Sequence, residues 1–195
     1  AMDTVARGIA PKLTGVLGQS VVVDNRGGGG GVIGVELATH APPDGHTLLM
    51  MSSTSVIYPA MYAAKYDVVR DLIAITQVTT QPYFLVLHPA VPAKSVAELV
   101  AYTKANPAKI SFASAGNGSL IHLMTELFKS MSGARMTHVP YRGIGAAYPD
   151  LIGGQVQLVF ASSISAMPFL QTQRLRAIAV TSTQRAKVLP EVPTV

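Results

Sequence analysis

The segment Ser114-Ala-Gly-Asn-Gly-Ser119 sets two hydroxyls, two glycines and an amide between an apolar run and a helix-like one. Residues this small leave backbone N–H groups uncovered at a helix N-terminus, where first-turn donors lack intrahelical partners and the dipole favours negative charge. The chemistry this permits is capture of an anion such as a carboxylate. A tight turn with Ser119 as helix cap explains the same residues without a ligand, and the segment alone supports both readings. Two further apolar runs finish alike: "HTLLMM" empties into Ser52, Ser53, Thr54 and Ser55, and "QVQLVF" into Ala161, Ser162 and Ser163. Ligands of parallel α/β sheets gather at the carboxyl ends of strands. Three such strand ends therefore favour a shared binding floor over three unrelated turns.

Other constellations are weaker. Ser114 in "FASAG" imitates the G-x-S-x-G nucleophile elbow with Phe112 in place of the first glycine. A serine hydrolase centred on Ser114 is thus an alternative, but no spacing positions His122 or His138 as base, or Asp150 or Glu191 as acid. Gly29 to Gly34 fits G-x-G-x-x-G, the dinucleotide fingerprint, and makes a second alternative. That fold needs an acid about twenty residues on, where this chain has Ser52 to Ser55, so a close-packed strand–helix connection explains the glycines better. The histidines, at 40, 46, 88, 122 and 138, lack ligand spacing and an acidic cluster, so neither metal nor cofactor is expected. Arg142 in "VPYRG" offers a guanidinium fork to a carboxylate; a solvated loop arginine is the plainer reading.

Composition narrows the classes. The 195 residues are 49% hydrophobic and 13% charged with 17 glycines, a globular α/β balance. The net charge of +5 is carried by scattered Lys and Arg without tryptophan, which disfavours a nucleic-acid platform and suits a small anion. Cysteine is absent, so disulfide and thiolate chemistry are excluded. No apolar run approaches the roughly 18 residues of a membrane span. Ala1-Met-Asp-Thr is not a basic stretch before an apolar core, so no signal peptide is read.

These residues need elements to hold them. Helical spacing runs from Asp3, an expected N-cap, to Leu17, with Gly18 as stop and Pro11 predicted to kink or split it. Strands are predicted over 20–24, 46–51, 72–79, 83–88, the run before Ser114, 136–139, 155–160 and 175–180. Helices are predicted from Val32 to about His40, from a capping box Ser95-Val-Ala-Glu98 to Asn106, and from Ser119 to Gly133. In the last of these the apolar stripe 120, 123, 124, 127, 128 and 131 is expected to bury, with His122 on the opposite side beside Glu126 and Lys129. A short helix before Gly153 and another after Ser163 complete the series. Strands alternating with helices argue for parallel sheets.

The blocks "VVVDNRGGGGGVIGVELATHAPPDGHTLLM", "KISFASAGNGSLIHL", "HVPYRGIGAAYPDLIGGQVQLVF" and "LRAIAVTSTQRAKVLPEVPTV", kept in order over nearly the whole chain, resemble the Bug-type substrate-binding receptors of tripartite tricarboxylate transporters. The resemblance implies a type II periplasmic-binding-protein fold of two α/β lobes closing on a carboxylate in an interlobe cleft. It implies export to the periplasm, delivery of ligand to membrane subunits, and no catalysis. By position it assigns ligand contacts to Ser52, Ser53, Thr54, Ser114, Gly116, Asn117, Gly118, Ser119 and His122, then to Arg142 and Gly143. Family members often carry an acid after the "QLVF" strand to meet a ligand amine. Ala161 and Ser162 stand there instead, so a di- or tricarboxylate or an aromatic acid without a required amine is expected. The resemblance also implies truncation at both ends, with lobe I formed by 1–86 and 180–195 and lobe II by 87–179. Sheet edges left open in lobe I invite dimerisation or strand exchange.

Overall fold

Residues 2–28 and 31–195 are described by the computed structural model. They divide into two units, Ala1–Ile75 and Thr76–Val195.

The first unit is helical. Helix α1 (Met2–Leu17) passes through Pro11 without a break, and Asp3 lies inside its first turn rather than capping it. The Asp3 carboxylate instead accepts from Arg7 Nε at 2.8 Å and Asn25 Nδ2 at 2.6 Å. Helices α2 (Val32–Thr39) and α3 (Ser53–Met61) follow. The core here is small: Val32, Val35 and Tyr66 are buried, with Leu49, Tyr58, Ala64 and Val68 packed around them. Tyr66 donates its hydroxyl to the Ser55 carbonyl at 2.9 Å. The stretches 20–24, 46–51 and 72–79, predicted as strands, have no ladder partner among the described residues. Several of their apolar side chains are exposed, Val22 by 81% and Ile73 by 93%. An apolar pattern reports what a segment would bury, and it becomes a strand only where a neighbour completes the ladder. Gly29 and Gly30, the first two positions of the glycine pattern, lie outside the described residues.

The second unit holds one five-stranded sheet in the order β3-β2-β4-β1-β5. Its strands are β1 (Tyr83–Leu87), β2 (Ser111–Ser114), β3 (Thr137–Pro140), β4 (Leu158–Ser162) and β5 (Arg176–Val180). Helices α4 (Val96–Ala105), α5 (Leu120–Ser132), α6 (Tyr148–Ile152) and α7 (Ser163–Gln171) lie between them. Phe84, Leu85, Val86, Leu87, Phe112, Leu158 and Val159 are wholly buried. Such continuous apolar runs are what strands covered on both faces require. The sheet is mixed where a parallel one was predicted: β2 is parallel to β3 and β4, but β1 is antiparallel to both β4 and β5. A helical stretch between two strands shows that a helix intervenes, not that the chain recrosses the sheet. Short α4 returns the chain to the edge where β1 ended.

Local signals act as read. Ser95 Oγ accepts from Glu98 N at 3.2 Å, while the Glu98 carboxylate reaches back to Lys94 N at 2.8 Å, one residue before the cap. Gly133 stops α5 with φ of 72°. Segment 180–195 packs with this second unit: Val192 is buried in its core, and Val195 N donates to Val180 O at 3.0 Å.

Candidate functional site

Register sets the geometry of the site. Ser114 pairs with Pro140, and Tyr83 pairs with Ser162. Thr181 N, just past β5, donates to Tyr83 O at 2.8 Å. The C-terminal ends of β2, β3, β4 and β5 therefore share one edge with the start of β1. Along that edge lie Ser114, the loop to Ser119, Arg142, Gly143 and Ser162, all of them expected ligand positions. Ser52, Ser53 and Thr54 belong to the first unit. There Ser52 precedes α3 and its carbonyl accepts from Ser55 N at 3.0 Å; Ser53 is exposed and Thr54 buried.

The loop 114–119 is held from within. Ser114 is wholly buried, and its Oγ lies 3.1 Å from both the Gly116 N–H and the Gly116 carbonyl. Ser119 Oγ accepts from His122 N at 3.3 Å and so caps α5, as predicted. Gly118 N–H donates to His122 Nδ1 at 3.1 Å. Gly116 has φ of 119° and Gly118 of 73°, conformations in which glycine meets no Cβ penalty. Asn117 is exposed at the tip.

Helix α5 turns a different face to the sheet than its apolar stripe indicates. Ile121, Thr125 and Phe128 are buried, while Leu127 and Met131 are 60% and 80% exposed. Thr125 can bury because its hydroxyl donates to the Ile121 carbonyl at 2.8 Å. This rotation brings His122 inward. Its ring stacks on His138 at 4.0 Å between centroids, and both rings lie over Phe112, at 6.4 and 4.8 Å. Lys129 Nζ stands 5.4 Å from the Phe112 centroid and pairs with Glu126 at 2.7 Å. Burial foremost, with the His122 charge secondary, holds the His138 imidazole below its ordinary value.

Ser114 Oγ lies 2.6 Å from His138 Nε2, so fold topology supplies the neighbour that spacing did not. The pair lacks the arrangement a serine nucleophile uses. Its serine is sealed from solvent, and among the described residues no carboxylate hydrogen-bonds the His138 ring. Asp150 is engaged elsewhere, accepting from the Tyr141 hydroxyl at 2.7 Å. Burial first, and then this carboxylate, push the Tyr141 hydroxyl up to about 12. That bond fixes the start of the "YRG" turn, where Arg142 is exposed without an ion pair to any described residue. Gly143 has φ of 104°. Ala161 is wholly buried opposite Phe84, and Ser162 Oγ lies 2.9 Å from Ser165 Oγ.

A cavity of about 470 Å³ opens on the same edge, lined by Thr80, Gln81, Ser163, Ser182, Arg185 and Lys187 among others. The sequence reading passed over it. The signal was there: "RAIAV" empties into Thr181, Ser182 and Thr183 as the other apolar runs do. Among the described residues no group of His, Asp and Glu is arranged to hold a metal, and no helix is long and apolar enough to cross a membrane.

Comparison with known proteins gives this edge its context. A UPF0065 protein encoded in the tcbD-tcbE intergenic region of a Pseudomonas species is 40% identical over 100% of this chain and 58% of its own length. MatC of Rhodopseudomonas palustris, solved with bound malate, superposes with a TM-score of 0.93 at 28% identity, over 100% of this chain and 67% of that one. Rpa4515 of R. palustris, solved with adipate, gives 0.81 at 29% identity, over 99% and 65%. The chain spans about three fifths of the length of the curated relatives it matches. The model of the tripartite tricarboxylate transporter family receptor matches residues 5–195, and the chain belongs to that family.

Proposed function

We propose that this chain acts as a solute receptor that captures a small carboxylate at the C-terminal edge of its second sheet. In this reading it works in the periplasm and delivers the ligand to the membrane subunits of a tripartite transporter. The observation that carries it is the loop 114–119, small residues folded against the capped N-terminus of α5 with Asn117 exposed at the tip. Anions are favoured at such a helix end. Exposed Arg142 at the same edge adds a guanidinium. The relatives solved with malate and adipate hold dicarboxylates without an amine. Ala161 and Ser162 bring no negative charge to meet a ligand amine, so an amine-free acid is the expected ligand. Calorimetric titration with malate, adipate, citrate and benzoate, against aspartate and glutamate, tests this. At least one amine-free acid should bind more tightly than either amino acid; aspartate or glutamate binding best would refute the class.

The first unit adds a second expectation. Val69, Ile73 and Ile75 are 87%, 93% and 78% exposed, and apolar chain without a strand partner supports pairing with a second copy. Sedimentation over a concentration series should reveal a reversible dimer that Ile73→Glu weakens. A monomer at every concentration removes that reading.

A further inference from the structure

Two imidazoles grip the loop 114–119 from opposite ends. His138 contacts it through Ser114, whose hydroxyl bridges Nε2 at 2.6 Å and the Gly116 N–H at 3.1 Å. His122 grips it through Nδ1, which accepts the Gly118 N–H at 3.1 Å. That bond requires a lone pair on Nδ1. The neutral ring with its proton on Nε2 has one; the imidazolium has none. Gly118 is buried, so losing this acceptor strands its N–H away from water.

We propose that His122 and His138 are positioning residues that hold the 114–119 loop in its binding shape only while His122 is neutral, so that carboxylate capture weakens on acidification. The inference rests on the carboxylate reading of the loop, and its first half stands independently of any ligand.

The groups around the rings fit this. The imidazoles stack at 4.0 Å with 16° between planes, a spacing at which two positive charges repel. On α5, Glu126 Oε1 lies 4.0 Å from His122 Nε2, and both Glu126 oxygens are engaged by Lys129, at 2.7 and 3.0 Å. Burial and His122 hold charge off His138, Glu126 partly opposes them, and Lys129 adds a smaller push in their direction. Among the described residues, β2 and β4 bring no titratable group to the faces packed on α5, and β3 brings only His138. The sign follows for stability as well. The folded state holds His138 below its ordinary value, so the unfolded chain binds its proton more readily. The His138 contribution to stability is full above about pH 6.5 and declines as pH falls below it.

Nitrogen-15 NMR of the ligand-free chain between about pH 8 and about pH 5 is the test, paired with malate titrations at about pH 7.5 and about pH 5.5. The His122 Nδ1 signal should be that of an unprotonated nitrogen at the upper pH. The Gly118 amide should shift with the same midpoint as that ring. Malate affinity should fall about tenfold at the lower pH. His122→Asn, whose carbonyl replaces Nδ1 as a non-titrating acceptor, should bind malate with the histidine contribution to the pH dependence removed. His122→Phe keeps the stack without the acceptor and should bind weakly at both pH values. A protonated Nδ1 at neutral pH, or a Gly118 amide blind to His122 titration, overturns the proposal. Amides that titrate as stated without malate binding at either pH overturn the carboxylate reading and leave the histidine-held loop standing.

Discussion

Phe112→Ala should destabilise the second unit by about 3–5 kcal/mol, the usual cost of emptying a buried aromatic site. Phe112 is wholly buried on β2, between β3 and β4, and Leu158 of β4 is its partner in register. Its ring is also the base of a stack that continues through His138 and His122, with Lys129 above it. The cavity cannot close by shifting one strand, because β2 is held on both sides. Urea unfolding measures the loss. Phe112→Leu, closer in volume, should cost less than half as much. A loss below about 1 kcal/mol for Phe112→Ala would mean that β2 is not the packed centre described.

Gly116→Ala should leave global stability nearly unchanged and lower malate affinity about tenfold to a hundredfold. At φ of 119° an L-residue is strained by about 1–3 kcal/mol. The loop can escape that strain by turning away from Ser114, whose hydroxyl contacts both the N–H and the carbonyl of Gly116. Escape preserves the fold and loses the shape that receives the ligand. Calorimetry with malate, beside a melting curve, separates the two effects. Unchanged affinity with unchanged stability would show that this backbone conformation has no part in binding.

How much was legible in the sequence depends on the range of the interaction. Ser95, Ser119 and Gly133 act within one helical turn, and their roles were read correctly. Strands β1, β2, β4 and β5 were found because each is a short, largely apolar run with its partners inside the same chain. The direction of β1 and the fate of 72–79 depend on neighbours distant in sequence, and pattern alone does not supply these. The facing of α5 failed for a subtler reason. Counting apolar side chains treats Thr125 as polar, whereas its hydroxyl is satisfied within the helix and buries as readily as a valine. With Thr125 inward, His122 also turns to the sheet and meets His138, sixteen residues on. No spacing rule joins those two; parallel pairing of β2 with β3 does.

Amide chemical-shift mapping during a malate titration most directly tests whether a carboxylate rests on the 114–119 loop. The largest shifts should fall on Gly116 to Ser119 and the first turn of α5, with smaller ones at Arg142 and Gly143. Shifts confined to the cavity lined by Thr80, Ser182 and Lys187, or to the first unit alone, would contradict that site.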